Sequence, residues 1–412
     1  MPRTLLITLC ILVTLLHTAA CAPRSAGMQA RSEADARFRR TTSLVSFDQA
    51  RQAFESGDLT RARKEAEAAI ERSDGEARYW SLLGRIELEA GRLERAIKAF
   101  ESSIERDPSL AEPYYFRGIV YQRWGMVDDA VNDYARAFEL DGSRVSYLLA
   151  WAELLVAERR LDEAREVLLP KLAYFEHNAA IHELLGDVSA LRGEFAAAVR
   201  SYERSVAIDP NAPLVAEKLL TSLFSAADWQ RCLEGARRLR SAAVAQSDGQ
   251  TARIPIDAFR LEGRSLAMLG RHAEARAVFA EQVRAYPEDT TGWRDLAGAS
   301  IAVGDLPRAA AAADRLLELA ARDATTYVLR GLVAEEMGDL EGAVQWYRRG
   351  IAVDPNDADA HAALGLTLNK LGRCIEAEAS LRRALAIEPR FALVEQALAM
   401  SSNGQGDGAT SD

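Results

Sequence analysis

The spacing of small residues constrains this chain more than any other sequence feature. Gly84, Gly118 and Gly186 lie 34 residues or a multiple of 34 residues apart. The full series at this position, in ten repeats, is Ala50, Gly84, Gly118, Ala152, Gly186, Leu220, Gly263, Ala297, Gly331 and Gly365. The step from Leu220 in the sixth repeat to Gly263 in the seventh is 43 residues. Nine residues are therefore inserted between a first block of six repeats and a second block of four. Such a period predicts small units packed on their neighbours rather than one globular core.

Four positions of the repeat keep this phase when Gly84 is counted as position 8. Position 15 is glycine in eight repeats, which predicts a left-handed residue at the end of a helix. Small residues at positions 8 and 20 predict close approach of two helices, and proline at position 32 predicts a helix end. The glycines at position 15 are Gly57, Gly91, Gly125, Gly193, Gly270, Gly304, Gly338 and Gly372. Position 20 carries Ala62, Ala96, Ala130, Ala164, Ala198, Cys232, Ala275, Ala309, Ala343 and Ala377. Position 24 carries the aromatic residues Phe100, Tyr134, Tyr202, Phe279 and Tyr347, and position 32 carries Pro108, Pro210, Pro287, Pro355 and Pro389.

These positions resemble the W-x-x-L-G-x-x-Y, A, F and P pattern of the tetratricopeptide repeat family over residues 43–391. The resemblance implies an all-α fold, a right-handed α-α superhelical solenoid of about ten helix-turn-helix repeats with a C-terminal capping helix. Each repeat would contain two helices, A and B. The predicted segments are repeats 1–6 over residues 43–246, an insertion at 247–255, repeats 7–10 over 256–391, the capping helix over 392–400 and a disordered tail over 401–412.

Two repeats depart from the pattern. Repeat 4 has Arg159 at position 15, and Pro170 falls inside its helix B, where proline is expected to kink or shorten the helix. Repeat 6 has Leu220 at position 8 and Ala227 at position 15, and the insertion follows it. Either the array has a hinge between residues 213–246 and 256–289, or helix B of repeat 6 is longer and a surface loop follows it.

The N-terminal residues resemble a bacterial lipoprotein signal. The uncharged run from Leu5 to Leu16 would span ~18 Å as a helix, which is short of the ~30 Å hydrocarbon core of a bilayer. Small residues precede Cys21, as in the lipobox, where the cysteine is acylated. Thr18 stands where that motif usually has leucine, and His17 is atypical. Residues 1–21 are therefore predicted to be a signal peptide with lipidation at Cys21, and ordinary signal cleavage is the alternative.

The segment after this signal is basic. Residues 22–42 carry a net charge of +3, and a flexible basic tether is predicted there. The predicted location is the cell envelope on the periplasmic side, with an anchor in the outer membrane because Ala22 rather than Asp follows the cysteine. The alternative is a soluble periplasmic or secreted protein.

No set of residues predicts catalysis or metal binding. His182 and His361 fall at position 4, where other repeats have Trp or Tyr, so both are predicted to be packing residues with a polar edge. Cys232 replaces a small alanine and Cys374 an apolar residue, so both are predicted to be buried and too far apart for a disulfide. No cofactor, metal or small-molecule substrate is expected. The net charge of −10 argues against nucleic acid as a partner.

The groove is the predicted site. In the family that the sequence resembles, helix A lines the concave face, and positions 2, 5, 9, 12 and 13 point into it. The candidate residues for binding a protein or peptide are Arg51, Arg78, Arg85, Tyr115, Ile119, Glu153, Glu183, Asp187, Arg260, Arg264, Arg294, Leu332 and Leu366. Separate basic, acidic and apolar stretches favour an extended peptide or a protein of alternating charge. The alternative is that these side chains are only solvated helix faces.

These observations predict a non-catalytic scaffold or adaptor. The preferred hypothesis is a membrane-anchored envelope lipoprotein that assists assembly of a secretion, pilus or polysaccharide-export complex. The alternative is a substrate-recognition or regulatory subunit of a separate envelope enzyme, such as a cell-wall hydrolase.

Overall fold

The described part of the chain is all-α. The computed structural model describes residues 26–245, 254–390 and 392–403, and these contain helices and turns but no strand. The chain divides into two compact units, Met1–Val188 and Ser189–Asp412. The predicted signal with Cys21, most of the predicted insertion, Phe391 and the tail from residue 404 onward lie outside the described residues.

The first unit contains repeats 1 to 4 and most of the next helix A. Its odd-numbered helices are helices A and its even-numbered helices are helices B. The helices are α1 Ala26–Glu55, α2 Leu59–Arg72, α3 Ala77–Glu89, α4 Leu93–Arg106, α5 Ala111–Arg123, α6 Val127–Leu140, α7 Val145–Ala157, α8 Leu161–Leu168 with a 3₁₀ turn at Leu169–Lys171, and α9 Ala179–Leu191, within which the division falls.

The second unit continues the same alternation of helices A and B. It ends with a helix that follows repeat 10. The helices are α10 Phe195–Ile208, α11 Pro213–Ser225, α12 Trp229–Ala245, α13 Ile256–Met268, α14 His272–Ala285, α15 Thr290–Ala302, α16 Leu306–Leu319, α17 Ala324–Glu336, α18 Leu340–Val353, α19 Ala358–Lys370, α20 Cys374–Ile387 and α21 Ala392–Asn403.

Every turn from helix A to helix B passes through a left-handed residue. The eight glycines at position 15 have φ between +72° and +86°, as the sequence predicted. Arg159 and Ala227, which replace glycine, adopt the same conformation at φ +59° and +60°. The turn geometry is therefore imposed by the packing of the two helices even where the residue itself disfavours it.

The small residue at position 8 receives a large side chain from position 24 of the same repeat. At Gly118, an added Cβ atom would lie 2.8 Å from Cε1 of Tyr134, which is closer than two carbon atoms can approach. The same relation holds between Gly365 and Leu381, where the added Cβ would be 2.6 Å from Cγ. Close approach at position 8 is thus confirmed, and its main partner is the side chain at position 24.

The core is distributed along the chain, as a repeat array requires. Phe100 packs with Leu88 and Val120, so the cluster combines one repeat with helix A of the next. Tyr347 forms the corresponding cluster with Ala334 and Leu368 further along the chain. Each repeat therefore depends for its burial on its immediate neighbours.

The Trp, Tyr and His side chains at position 4 share one hydrogen bond that explains the histidines. In these six repeats the side chain bonds to the carbonyl oxygen six residues earlier, just after the preceding helix B. Trp80 Nε1 donates to Asp74 O at 2.9 Å, and His361 Nε2 lies 3.1 Å from Pro355 O. His182 Nε2 lies 3.0 Å from Glu176 O, and its side chain is buried. The interpretation of these two histidines as packing residues with a polar edge is confirmed.

Of the two cysteines in the second unit, Cys232 is buried and its Sγ lies 3.4 Å from Leu220 O. Cys374 is only half-buried, so its predicted full burial is wrong. Both are free thiols. Cys374 is the first residue of its helix, where one side of the side chain faces solvent.

The prediction of a flexible tether over residues 22–42 is wrong for residues 26–42. These residues form the first half of α1, which has 30 residues, whereas the other helices A have 13. Alanine and arginine are the commonest residues here, and both have high helix propensity. Because the C-terminal half of α1 is packed in repeat 1, helix formation extends outward from it without a new nucleation step.

Irregular repeats 4 and 6 behave differently from each other. In repeat 4, α8 has eight residues and gives way to the 3₁₀ turn containing Pro170, which confirms the predicted shortening. In repeat 6, α12 has 17 residues, as the longer-helix alternative proposed. The ion pairs that Arg237 and Arg240 form with the buried carboxylate of Glu262 tie α12 to α13, which favours that alternative over a hinge.

A C-terminal helix covers the last repeat. Val394 and Ala397 of α21 are buried against Leu381 and Ala384 of α20, as expected of a capping helix. The helix continues to Asn403, so the predicted start of the disordered tail at residue 401 is wrong by three residues.

Candidate functional site

Helices A of consecutive repeats line one cleft in the first unit. It has a volume of about 710 Å³ and is formed by α1, α3 and the N-terminal turns of α5 and α7. Phe47, Phe54 and Leu82 supply apolar surface, and four arginines stand around it. The lining residues are Phe47, Arg51, Phe54, Glu55, Arg78, Leu82, Arg85, Ser109, Leu110, Ala111, Glu112, Leu140, Asp141, Arg144 and Tyr147.

Arg85 is fixed in place rather than free to meet a ligand. Its guanidinium carbon lies 5.1 Å from the ring centroid of Phe54 and 4.9 Å from that of Phe116. Nη1 donates to Oε1 of Glu112 at 2.9 Å, which joins repeat 2 to repeat 3. Because stacking and the ion pair satisfy its charge, Arg85 forms a wall of the cleft.

The remaining three arginines differ in their pairing. Arg51 lies 3.3 Å from Asp48, and Arg144 lies 3.5 Å from Asp141. Arg78 is exposed, and none of the described carboxylates forms a direct ion pair with it, although Asp107 is close enough for the two charges to interact. The cleft therefore presents one cation that can bind an anion without breaking an existing pair.

Tyr115 and Ile119 were predicted to point into the groove, but they mainly pack within the solenoid. The ring of Tyr115 lies 5.7 Å from that of Tyr134 and 4.8 Å from that of Tyr147. Ile119 packs against buried residues of repeats 2, 3 and 4. Neither residue lines the cleft described above.

The acidic residues predicted for the groove of the first unit lie on two helices A, α7 and α9. Glu153 on α7 and Glu183 on α9 are close enough for their charges to interact. Burial, and then the charge of Glu183, raise the pKa of Glu153 above its ordinary value. Asp187 lies one turn further along α9 and is half-buried.

The predicted basic stretch of the second unit is neutralised by the next repeat. Arg264 Nε donates to Oδ2 of Asp295 at 2.9 Å, and Arg294 Nη2 donates to Oδ2 of Asp323 at 2.9 Å. Arg260 lies 2.6 Å from Asp257 of its own helix and is also near a carboxylate that caps the next helix A. These three arginines therefore connect repeats, and they do not form a free positive surface.

The apolar residues predicted near the C-terminus have different environments. Leu332 on α17 is 40% exposed, whereas Leu366 on α19 packs against the cluster that includes the capping helix. Between them, the carboxylate of Glu335 accepts hydrogen bonds from Tyr347 and Thr367, each at 3.0 Å, and also pairs with Lys370. Burial alone would raise the pKa of Glu335, but these hydrogen bonds outweigh it and hold the pKa below its ordinary value.

Sequence reasoning missed the carboxylates that complete these pairs. Glu112 lies 27 residues after Arg85, and Asp323 lies 29 residues after Arg294, so each carboxylate lies at the start of the next helix A, Asp323 as its N-cap residue. An arginine at position 5 or 9 followed by an acidic residue 27 to 31 residues later is a signal that could have found them.

Comparison with protein families agrees with the repeat geometry. A tetratricopeptide repeat model matches residues 47–111 and 149–213, a TPR repeat model matches 331–372, and a further tetratricopeptide repeat model matches 358–391. The chain is a tetratricopeptide repeat protein. The family that the sequence resembled is thereby confirmed.

Comparison with solved structures gives distant likenesses for this tetratricopeptide repeat protein. The structure of Naa15/Naa10 bound to HypK-THB matches at 14% identity over 88% of this chain, with a TM-score of 0.44. The chain spans 66% of that protein's chain. The APC/C hetero-tetramer Cut9-Hcn1 matches at 12% identity over 87% of this chain and 96% of the other, with a TM-score of 0.42. No curated protein sequence matches.

The tetratricopeptide repeat protein is a scaffold for protein–protein interaction. Within its described ranges, no group of three or more His, Cys, Asp or Glu side chains is arranged to hold a metal ion. Among the same residues, none of the helices has both the length and the apolar character needed to cross a membrane.

Proposed function

We propose that this protein is a non-catalytic adaptor that binds an extended segment of a partner protein in the cleft of the first unit. The observation that carries the proposal is the combination of an apolar floor, formed by Phe47, Phe54 and Leu82, with the unpaired cation of Arg78. Extended peptides bind through side chains that fill apolar pockets and through a few oriented polar contacts.

The cleft chemistry specifies the partner segment. An aliphatic or aromatic side chain would lie on the floor, and a carboxylate near it would pair with Arg78. Arg85 keeps one wall rigid because two rings and Glu112 hold it. A rigid wall lowers the conformational entropy that binding would otherwise cost.

The test is a selection of displayed peptides on the full chain, followed by affinity measurements on two charge-reversal variants. We expect the selected peptides to share an acidic residue near an apolar one. Arg78→Glu should weaken the binding of these peptides at least about tenfold, since it replaces attraction of their acidic residue by repulsion. Arg95→Glu is the matched control, because Arg95 is exposed on α4 of the same unit and lies outside the cleft. Equal effects of the two substitutions would refute the assignment of the cleft.

The cellular setting that we propose is the bacterial envelope, with an acyl chain on Cys21 as the anchor. The support is the sequence of the N-terminal segment, in which a short apolar run precedes small residues and this cysteine. Cys21→Ala should move the protein from the membrane fraction to the soluble fraction of a bacterial host. Unchanged partitioning would overturn the lipoprotein hypothesis and favour a soluble periplasmic or secreted protein.

We propose that the adaptor assists assembly of a secretion, pilus or polysaccharide-export complex. Mild cross-linking in the native host followed by purification separates this from the alternative role as a subunit of an envelope enzyme. A secretin or another envelope-spanning component among the partners supports the assembly role. A single soluble hydrolase or transferase that co-purifies in constant ratio contradicts it.

A further inference from the structure

A second cleft lies in repeat 6 of the second unit, between two helices B. It has a volume of about 530 Å³, which is in the range of small-ligand sites. Its walls are α10 and α12, and its floor is α11. The residues that line it are Glu203, Val206, Ala216, Leu219, Leu220, Leu223, Arg231, Glu234, Gly235, Arg238, Leu239 and Ala242.

The cleft exists because repeat 6 reverses the usual order of large and small side chains. Position 8 carries Leu220 instead of a glycine or alanine, and positions 23 and 24 carry Gly235 and Ala236. A Cβ atom on Gly235 would collide with Cδ2 of Leu220, so the leucine side chain lies directly against the backbone of α12 here. Because position 24 of α12 is Ala236 and not an aromatic residue, the space beside Leu219 and Leu239 stays open, and both leucines are only half-buried.

The charged groups around the cleft leave one cation free. At one end, Arg231 pairs with Glu203 and lies 3.2 Å from Asp228. Glu234 accepts a hydrogen bond from Gln230 at 2.8 Å. Arg238 is exposed at the rim, two helical turns from Arg231, and none of the described acidic groups pairs with it.

We propose that this cleft binds a medium-chain carboxylate amphiphile, with the acyl chain on the leucine floor and the carboxylate on the guanidinium of Arg238. The residues of α12 that line the cleft, from Arg231 to Ala242, extend over ~16 Å, which is long enough for such a chain. Each methylene removed from water contributes favourably to binding, and guanidinium is the side chain that best matches a carboxylate.

The test is a titration of the full chain with dodecanoate below its micellar concentration, followed by isothermal calorimetry. Saturable binding with a stoichiometry of about one is expected. Dodecylamine, which has the same chain and the opposite charge, should bind at least about tenfold more weakly. Arg238→Ala should weaken dodecanoate by a similar factor. The matched control is Arg204→Ala, because Arg204 is an exposed arginine on α10 that does not line the cleft.

A second variant separates the cleft from general adsorption to the protein. Ala216→Leu places a larger side chain on the half-buried floor and should abolish saturation, while helix content and the thermal midpoint stay near those of the parent. Absence of saturable dodecanoate binding, equal binding of the amine, or unchanged binding in both Arg238→Ala and Ala216→Leu would each overturn the proposal. A third outcome would assign the cleft to a protein partner instead. In that case an amphipathic helical peptide binds the parent protein but not Ala216→Leu, and dodecanoate does not bind.

Discussion

The ring of Tyr134 lies against the backbone of Gly118, so closely that a methyl group at Gly118 would be 2.8 Å from Cε1 of the ring. The two residues stand at positions 8 and 24 of one repeat, and the ring is almost fully buried. This contact between helices A and B recurs in the solenoid. It explains why a residue that weakens helices is retained in the middle of them.

Substitution at Gly118 should therefore destabilise the protein. Gly118→Ala is expected to lower the free energy of unfolding by about 1–3 kcal/mol, since the ring must move within a packed core. Gly298→Ala is the matched control, because Gly298 is also within a helix A but has no atom near its added Cβ. There alanine should stabilise by up to about 1 kcal/mol through helix propensity. Urea unfolding followed by circular dichroism measures both, and destabilisation of similar size in both variants would contradict the packing explanation.

The left-handed alanine of repeat 6 offers a gain in stability. Ala227 has φ +60°, a conformation that glycine adopts without strain. Ala227→Gly should raise stability by about 0.5–1 kcal/mol despite the larger entropy of the unfolded chain. The neighbouring Ala226 has φ −79°, so Ala226→Gly should lower stability. Thermal unfolding compares the two, and a loss at both positions would show that strain at Ala227 is absent.

The buried ion pair of repeat 3 should be sensitive to removal of one partner. Arg117 makes two hydrogen bonds of 2.8 Å to Asp133, and the carboxylate side chain is 8% exposed. Asp133→Leu alone should cost about 3–5 kcal/mol, because it leaves the guanidinium without its partner. The double variant Arg117→Met with Asp133→Leu should recover most of that loss. A double variant as unstable as the single one would show that packing, and not charge, dominates at this site.

The environment of the Glu335 carboxylate should make the stability of the protein depend on pH. Its pKa is below the ordinary value in the folded protein, so its contribution to stability is present above the pKa of the unfolded chain. That contribution is lost as the pH falls through the lower, folded pKa. Glu335→Gln should therefore be less stable than the parent at pH 7, and the difference should shrink in acid. Denaturant midpoints of the two proteins at several pH values test this, and a constant difference would contradict it.

Much of the fold could be predicted from residues that determine the backbone conformation within a few positions along the chain. Gly57 and its counterparts end helices A, and Pro170 shortens helix B of repeat 4, because backbone dihedral angles decide both. The role of His361 was also predictable, since its position in the repeat is occupied elsewhere by Trp80 with the same hydrogen bond.

The errors have a common cause in non-local packing. The basic charge of residues 22–42 favoured the prediction of a flexible tether, but α1 extends through residues 26–42 because the packed half of the helix supports it. Tyr115 has the position of a groove residue, yet neighbouring rings turn it into a packing residue. The packing that supports the first half of α1 and the contacts of Tyr115 cannot be deduced from the residue type and its position in the repeat alone.

The sequence by itself determined the repeat, its two phased blocks, the helix ends and the close approach of helices at position 8, because these depend on helix periodicity and local backbone geometry. Only the tertiary structure decided which charges on helices A are free. Arg264 is neutralised by Asp295 from the next repeat, whereas Arg78 is not paired, and the difference lies in side-chain positions that adjacent helices fix together. For the same reason, the reversed packing of Leu220 and Gly235 became a cleft only when three helices were placed side by side.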